Sequence, residues 1–326
     1  MDGSNGLLIV DLLRSGIRLA TPILLAALGG AISNRAGVLD FALEGKMLLG
    51  SFLGILAAFW LHNSYGGALV AVLAGGLLGW IFAFFYLKYK VDLVILAIAI
   101  NLLISEGTVF FLRTFYGNVG SWTDASIQQL PDIQIPIVKN IPVIGQLLSG
   151  YNAIIYASWI LTALLYVVLF YTPFGRHIRA VGENKEAAKA LGINVARIQY
   201  FALILGGGMC ALGGAFLSIG HLTMFTRNMS NGRGWMAVTA ALFGMNNPIG
   251  VFLASLLIGV ADALAVRLQM LTTIPPMLIQ FLPNVLAILA LVLVGLRNRA
   301  NVALIRRKFS LKSQKISEDG KSEAIS

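Results

Sequence analysis

The chain has 326 residues, of which 58% are hydrophobic and only 12% are charged. An ordinary soluble domain carries roughly 25% charged residues, so this composition excludes a typical water-soluble fold. The formal net charge is +10, but the Lys and Arg residues cluster between and after the hydrophobic runs, as the positive-inside rule describes for cytoplasmic loops. The positive charge therefore indicates membrane orientation, and nucleic-acid binding is not expected.

Hydrophobic runs recur along the chain at about the 20-residue length that a helix needs to cross a bilayer. None shows the alternation of a barrel strand. The predicted fold is therefore all-α, a polytopic membrane protein with about eight to ten transmembrane helices, some broken or re-entrant. The candidate spans are 17–33, 44–61, 66–87, 91–112, 153–172, 197–222, 249–269 and 278–296, and a shorter apolar piece lies at 235–245.

The beginning of the chain has two interpretations. If 17–33 crosses the membrane once, charge counting places residue 1 outside. Alternatively, Asp11, Arg14 and Arg18 mark a helix that lies in the membrane interface, and the segment from Arg35 to Lys46 is re-entrant. Both interpretations remain open at this point, and they account for the range in the helix count.

The loops differ in charge. Residues 113–152 hold two basic and two acidic residues, and we expect them to form an external loop or cap. Residues 173–197 hold five Lys or Arg and two Glu, and the tail 297–326 holds eight basic and three acidic residues. Both are predicted to be cytoplasmic. Residues 1–296 are predicted to form the transmembrane domain, and the tail is predicted to be disordered. An even number of crossings must separate the two cytoplasmic segments, so 235–245 has to supply one as a broken or tilted helix.

The cytoplasmic segment 173–197 contains a short predicted helix. Asn184 is suited to its N-cap, Glu186 lies in its first turn and Gly192 provides a left-handed stop. Four residues form a small apolar face that suits a shallow groove on another protein: Ala187, Ala188, Ala190 and Leu191. A solvated connector is the alternative interpretation.

Polar residues at predicted membrane depth are candidates for a solute pathway, because polar groups in lipid are costly and face a cavity or one another. They are Asn34, Asp40, Glu44, Asn101, Glu106 and Asp262. For Asn101, a hydrogen bond between helices and a contact with solute are equally compatible with the sequence.

The sequence offers little for catalysis. The three His residues have no partners at metal-ligand spacing, so no metal site is predicted. Residues 43–47 resemble half of a phosphate-binding loop but lack its other Gly and its Ser or Thr, so we do not expect this chain to bind ATP itself. An intramembrane enzyme is disfavoured, and no catalytic residues are assigned, because no nucleophile, base and orienting group occur together.

Long stretches of the chain resemble a known family: 20–50, 174–198 and 232–269, extended by 274–295. They are similar to the permease subunits of ABC importers for simple sugars and nucleosides, above all to the smaller permease of nucleoside importers. The resemblance implies a complex of two permeases, two ATPase domains and an external substrate-binding lipoprotein. It also implies a location in the inner (plasma) membrane of a prokaryote, with the C-terminus in the cytoplasm.

The two permeases are expected to be distinct but related, each forming half of the pathway as a heterodimer. No cofactor is expected on this chain, and ATP with magnesium would bind the partner ATPase. Residues 183–192 match the family's coupling helix, which sits on the ATPase and implies a docking role for seven residues: Glu183, Asn184, Glu186, Ala187, Ala188, Leu191 and Gly192.

The stretch from Arg35 to Gly45 matches a family segment near the translocation path. Asp40 stands where that pattern usually has Asn, so its carboxylate is expected to alter substrate choice or to pair with a cation. The resulting interpretation is a permease that moves a small polar solute inward when a separate ATPase works on it. The alternative is an ion- or proton-coupled secondary transporter that uses Asp40, Glu44, Glu106 or Asp262.

Overall fold

The structure is a computed structural model that describes residues 2–117, 120–134 and 149–271, together with 278, 279, 281 and 285, with side chains from Val10 onward. The helices in these residues are α1 (Asp2–Arg35), α2 (Leu43–Leu61), α3 (Ser64–Tyr89), α4 (Leu93–Tyr116), α5 (Ala153–Tyr171), α6 (Pro173–Glu183), α7 (Lys185–Ala190), α8 (Val195–Ala215), α9 (Arg233–Phe243) and α10 (Pro248–Leu271). A π-helical segment, Phe216–Leu222, continues α8. The two-residue strands are β1 (Ser121–Trp122), β2 (Asp132–Ile133), β3 (Tyr151–Asn152) and β4 (Phe225–Thr226).

The long helices confirm the prediction of an all-α polytopic membrane protein. Within the described ranges, seven helical segments are long and apolar enough to cross a membrane. They correspond to the first seven predicted spans: Val10–Arg35, Leu43–Leu61, Ser64–Tyr89, Leu93–Tyr116, Ala153–Tyr171, Val195–Leu222 and Pro248–Leu271. The predicted span 278–296 and the tail 297–326 lie outside the described residues, apart from the four isolated positions.

The first helix decides whether the N-terminal region contains a separate interfacial helix. α1 continues unbroken through Arg14 and Arg18 to Arg35, so the alternative of a separate interfacial helix is wrong. The Arg14 guanidinium donates to the Gly150 carbonyl at 3.2 Å, and Arg18 lies 3.8 Å from the Asp132 carboxylate. These basic residues therefore find partners on the predicted external loop, which removes the need for a helix lying along the interface.

The predicted external loop, as far as it is described, forms a small structured cap. β1 pairs antiparallel with β4, and β2 pairs antiparallel with β3. The Tyr151 ring lies under the guanidinium groups of Arg14 and Arg18, at 5.7 and 5.9 Å from its centroid. Burial raises the pKa of Tyr151 to about 12, so its phenol stays neutral near pH 7.

Small residues bring the central helices into close contact, as the glycine-rich runs predict. A Cβ placed on Gly75 of α3 would lie 2.4 Å from the Gly207 carbonyl oxygen of α8. A Cβ on Gly50 of α2 would lie 2.1 Å from the Ala211 carbonyl oxygen of α8. Only glycine permits such approaches, and they hold α2 and α3 against α8 where burial from water gives no drive for helix association.

Candidate functional site

A loop and a short helix connect α8 and its π-helical continuation to α10. Residues 223–232, which we call the re-entrant loop, run back along α2. The Phe225 ring lies 5.1 Å from the Phe52 ring, and the Gly232 amide donates to the Glu44 carboxylate at 2.9 Å. Phe52 and Glu44 are eight residues apart on α2, or about 12 Å along its axis. The loop therefore descends well into the span of α2.

The short helix α9 follows this loop. It ends at Phe243, and the turn after it contacts the C-terminal end of α1. The Arg35 guanidinium donates to the carbonyls of Met245 and Asn246 at 3.1 and 3.0 Å, and the Asn34 amide donates to the Asn246 side chain at 3.0 Å. The apolar piece 235–245 thus lies mainly in a short helix preceded by non-helical chain, and its predicted crossing of the membrane stays a prediction.

Glu44 caps the N-terminal end of α9 from a different helix. Its two carboxylate oxygens accept from the amides of Gly232 and Gly234 at 2.9 and 2.8 Å, and α9 has no side-chain cap of its own. A carboxylate at this position satisfies free amides and meets the positive end of the helix dipole. A Cβ on Gly234 would lie 2.5 Å from the Glu44 Cα, so this close approach requires glycine.

Asp262 lies close to the same helix end. Its carboxylate is 3.8 Å from the guanidinium of Arg233, the first residue of α9, and both side chains are about one-fifth exposed. The structure thus brings together Glu44 and Asp262, two of the predicted pathway residues, on the start of α9. Arg233 was not predicted, although a basic residue at membrane depth signals that an acidic partner is near.

Asp40 has a cationic partner within the chain. Its carboxylate pairs with the Lys46 ammonium, and both side chains are fully buried. Asp40 also accepts from the Ala42 amide at 3.0 Å, and the Lys46 ammonium lies 4.8 Å from the centroid of the Phe82 ring. The carboxylate predicted to face the path is therefore enclosed by protein and neutralised by a residue that the sequence analysis had not paired with it.

Asn101 makes contacts between elements. Its side-chain oxygen accepts from the Gly45 amide at 2.8 Å, and its side-chain nitrogen donates to the Phe41 carbonyl at 3.1 Å. Of the two roles left open by the sequence, the hydrogen bond between elements is the one observed. Asn101 thereby holds the connection between α1 and α2 against α4.

Glu106 differs from the buried Asp40 in its exposure. Its carboxylate lies 3.7 Å from the guanidinium of Arg227 in the re-entrant loop, and the two side chains are 66% and 56% exposed. The sequence had not indicated Arg227 as the partner of Glu106. An ion pair that is open on this scale can exchange its partners with water or with a polar solute.

The predicted short helix in the cytoplasmic segment is α7, and its caps are confirmed. The Asn184 side chain accepts from the amides of Glu186 and Ala187, both at 3.0 Å, and Gly192 has the left-handed φ of +80°. The side chains of Glu183, Glu186 and Ala187 are exposed, and Leu191 is 80% exposed. These residues leave a free surface on α7 and on the chain around it.

Ala188 does not belong to that free surface. It is only 2% exposed and belongs to the same buried cluster as Ile178 and Val181 of α6. The prediction of an exposed apolar face that includes Ala188 is therefore wrong at this residue. A helix of six residues cannot stand alone, and Ala188 is the side chain that anchors α7 to the rest of the chain.

The segment that carries α7 rests directly on the end of α1. A Cβ on Gly182 of α6 would lie 2.1 Å from the Arg35 carbonyl oxygen. Since Arg35 also holds the turn after α9, one residue connects the predicted cytoplasmic segment with α9. The elements α7, α6, α1 and α9 thus form a continuous line of contacts.

The chain is similar in sequence to a known family and to individual transport proteins. Residues 12–296 match the family described as the permease component of the branched-chain amino acid transport system. The chain is 34% identical to the guanosine ABC transporter permease protein NupQ of Bacillus subtilis, over 83% of this chain and 88% of that protein. It is also 34% identical to a protein of Haloferax volcanii described as a glucose ABC transporter permease, over 80% of this chain and 78% of that protein.

One solved structure shares the fold. It is described as a metal-chelate type ABC transporter in an inward-facing conformation, and it superposes with a TM-score of 0.50 at 16% sequence identity. The match covers 87% of this chain and 84% of that chain. At this identity the similarity concerns the fold alone.

Proposed function

We propose that this chain, which belongs to the permease-component family of branched-chain amino acid transport systems, is a membrane subunit of an ATP-driven importer. Its solutes are nucleosides or simple sugars. Similarity to permeases named for guanosine and for glucose supports this choice of solutes. The structural observation that carries the proposal is the exposed, capped helix α7 resting through Gly182 on the end of α1.

The proposed complex has three kinds of partner. A second, related permease supplies the other half of the pathway, an ABC ATPase binds ATP and magnesium, and an external lipoprotein delivers the solute. ATP hydrolysis takes place on the ATPase, and this chain contributes no catalytic residue and binds no cofactor. The protein lies in the inner (plasma) membrane of a prokaryote, with α7 and the C-terminal tail on the cytoplasmic side.

Coupling follows the line of contacts from α7 to α9. The exposed residues Ala187 and Leu191 sit on the ATPase, and its closure displaces α7 and α6. Because Gly182 touches the backbone of Arg35, the displacement reaches the end of α1 and the turn that Arg35 holds after α9. The other end of α9 carries the re-entrant loop, so ATP binding alternates access at membrane depth.

The observed pairings of Asp40, Glu44 and Asp262 weigh against a secondary transporter that would use these three acids. A carboxylate that carries protons must be free to change its partners. Asp40 is buried against Lys46, Glu44 holds two amides and Asp262 lies beside Arg233. These three acids therefore have structural partners in the conformation described.

Uptake into liposomes that contain the reconstituted complex tests the proposal. With the lipoprotein and labelled guanosine or glucose outside and ATP inside, we expect accumulation that requires ATP and withstands an uncoupler. A complex with a hydrolysis-deficient ATPase is the matched control and should show no accumulation. Uphill uptake by this chain alone, driven by an ion gradient, would overturn the proposal.

A further inference from the structure

The re-entrant loop exposes polar groups at membrane depth. Its residues Arg227, Asn228 and Asn231 are exposed, and the two Asn residues adopt left-handed φ values of 54° and 44°. Non-helical backbone at this depth is tolerated only inside protein or beside a water-filled cavity. These side chains are not covered by the chain itself, so the exposed face of the loop has to border water or a partner protein and not lipid.

An aromatic pair lies beside this face. Trp235, in the first turn of α9, is 47% exposed, and its ring centroid lies 6.5 Å from that of Phe41 at an interplanar angle of 31°. A hydrogen bond holds the backbone at or next to each of these two residues. Glu44 holds the amide of Gly234, and Asn101 donates to the carbonyl of Phe41. The backbone that carries each ring is thus held in place, while about half of the surface of Trp235 stays open.

The aromatic pair and the open ion pair lie at neighbouring levels of α4. Asn101 contacts the segment of Phe41, and Glu106 pairs with Arg227. Five residues separate Asn101 from Glu106, which corresponds to about 7.5 Å along the helix. Arg227 belongs to the re-entrant loop, and Trp235 lies in the first turn of the helix that follows this loop, so one short segment of chain carries both groups.

We propose that this face is the solute-contact surface of the chain and that it selects a nucleoside over a simple sugar. The inference rests on the proposed function and narrows its substrate class. Trp235 stacks on the planar base, an interaction that accepts any base because every base has a π face. Glu106 and Arg227 offer an acceptor and donors to the hydroxyl groups of the ribose.

The openness of the ion pair is what suits it to this role. At 3.7 Å and with both side chains more than half exposed, Glu106 and Arg227 can leave each other for solute hydroxyls without leaving a buried charge. Asp40 and Lys46 cannot do so, because each would then be an unpaired charge inside the protein. Glu106 and Asp40 thus have different roles, although the sequence predicted both as pathway residues.

The first experiment replaces the aromatic surface. In liposomes with the complete importer and saturating guanosine-loaded lipoprotein, we expect Trp235→Leu to lower guanosine uptake per ATP hydrolysed about tenfold, and Trp235→Phe to retain most of it. Trp80→Leu is the matched control, because Trp80 of α3 is 45% exposed and stacks on Phe84 away from the loop. Equal uptake in Trp235→Leu and Trp80→Leu would overturn the inference.

The wild-type complex separates this inference from the function on which it rests. ATP-dependent uptake of guanosine but not of glucose supports both, and equal uptake of the two solutes overturns the selection of a nucleoside. ATP-dependent uptake of glucose but not of guanosine overturns the nucleoside assignment and leaves the proposed function in place. If neither solute accumulates at the expense of ATP, both are wrong.

The second experiment separates solute contact from a purely structural ion pair. Glu106→Arg and Arg227→Glu, combined, restore opposite charges with exchanged positions. We expect the double variant to melt within about 2 °C of wild type while guanosine uptake stays at least tenfold lower, because the ribose then meets donors and acceptors in reversed order. Wild-type uptake in the double variant would show that the pair serves only structure and would overturn its assigned role.

Discussion

Individual charged residues are accommodated at membrane depth because the chain supplies their partners. The clearest case is Asp40, which is enclosed with Lys46 against the face of Phe82. Taking two charges from water is costly, and their attraction offsets that cost only while both are present. The pair is therefore more sensitive to the loss of one member than to the loss of both.

Lys46→Met tests this sensitivity. The substitution leaves the Asp40 carboxylate buried without its cation, so we expect a loss of about 3–5 kcal/mol in the free energy of unfolding. The double variant Asp40→Asn with Lys46→Met removes both charges and should lose much less. Thermal unfolding of the purified complex in detergent measures both, and equal melting temperatures for the single and double variants would contradict the prediction.

At the scale of elements, packing between helices depends on glycine at particular positions. α3 offers two adjacent glycines with different surroundings. A Cβ on Gly75 would meet the Gly207 carbonyl oxygen at 2.4 Å, whereas a Cβ on Gly76 would lie 3.6 Å from its nearest atoms, which belong to Ile204. The sequence shows two equivalent glycines, and only the first is required by the contact with α8.

Gly75→Ala should therefore destabilise the protein by about 1–3 kcal/mol, because backbone atoms of α8 must move to admit the methyl group. Gly76→Ala is the matched control and should be neutral or slightly stabilising, since Ala favours a helix over Gly. Melting temperatures of the two variants in detergent check the difference. Equal destabilisation would show that helix packing does not depend on this contact.

At the scale of the whole molecule, the cytoplasmic segment and the re-entrant loop are connected through the ends of α1 and α9. Arg35 is the shared point, because Gly182 touches its backbone and its side chain holds the turn at Met245 and Asn246. A rigid connection of this kind can carry a displacement from a partner on one side to a cavity at membrane depth. Exposed and buried residues of α7 should then respond differently to the same substitution.

Leu191→Glu should weaken binding of the ATPase, because it places a charge on an 80% exposed apolar residue of the proposed docking surface. The melting temperature of the permease should remain within about 2 °C of wild type, since substitutions at exposed side chains change stability little. Co-purification of the ATPase with tagged permease and the rate of uptake measure the effect. Retention of both at wild-type level would refute the docking role.

Ala188→Glu provides the contrast. This residue is 2% exposed, so the new carboxylate would be buried and should lower the melting temperature of the permease itself. Loss of uptake in this variant would report misfolding and not a defect of docking. A normal melting temperature would show that the side chain at this position is not enclosed.

The sequence by itself determined the membrane class, the positions of seven spans and the caps of α7. These features follow from local properties, namely the length of an apolar run, the charge of a loop and the residue at a helix end. They can be read within a window of about 20 residues.

Only the tertiary structure decided which polar groups meet and which side of α7 is free. Glu44 caps α9 across 188 positions of sequence, and Arg227 reaches Glu106 from a loop whose path no local pattern indicates. The burial of Ala188 likewise depends on α6, whose placement against α7 is set by packing. Helical periodicity states which residues share a face, but the partner of that face is fixed only when all the helices pack together.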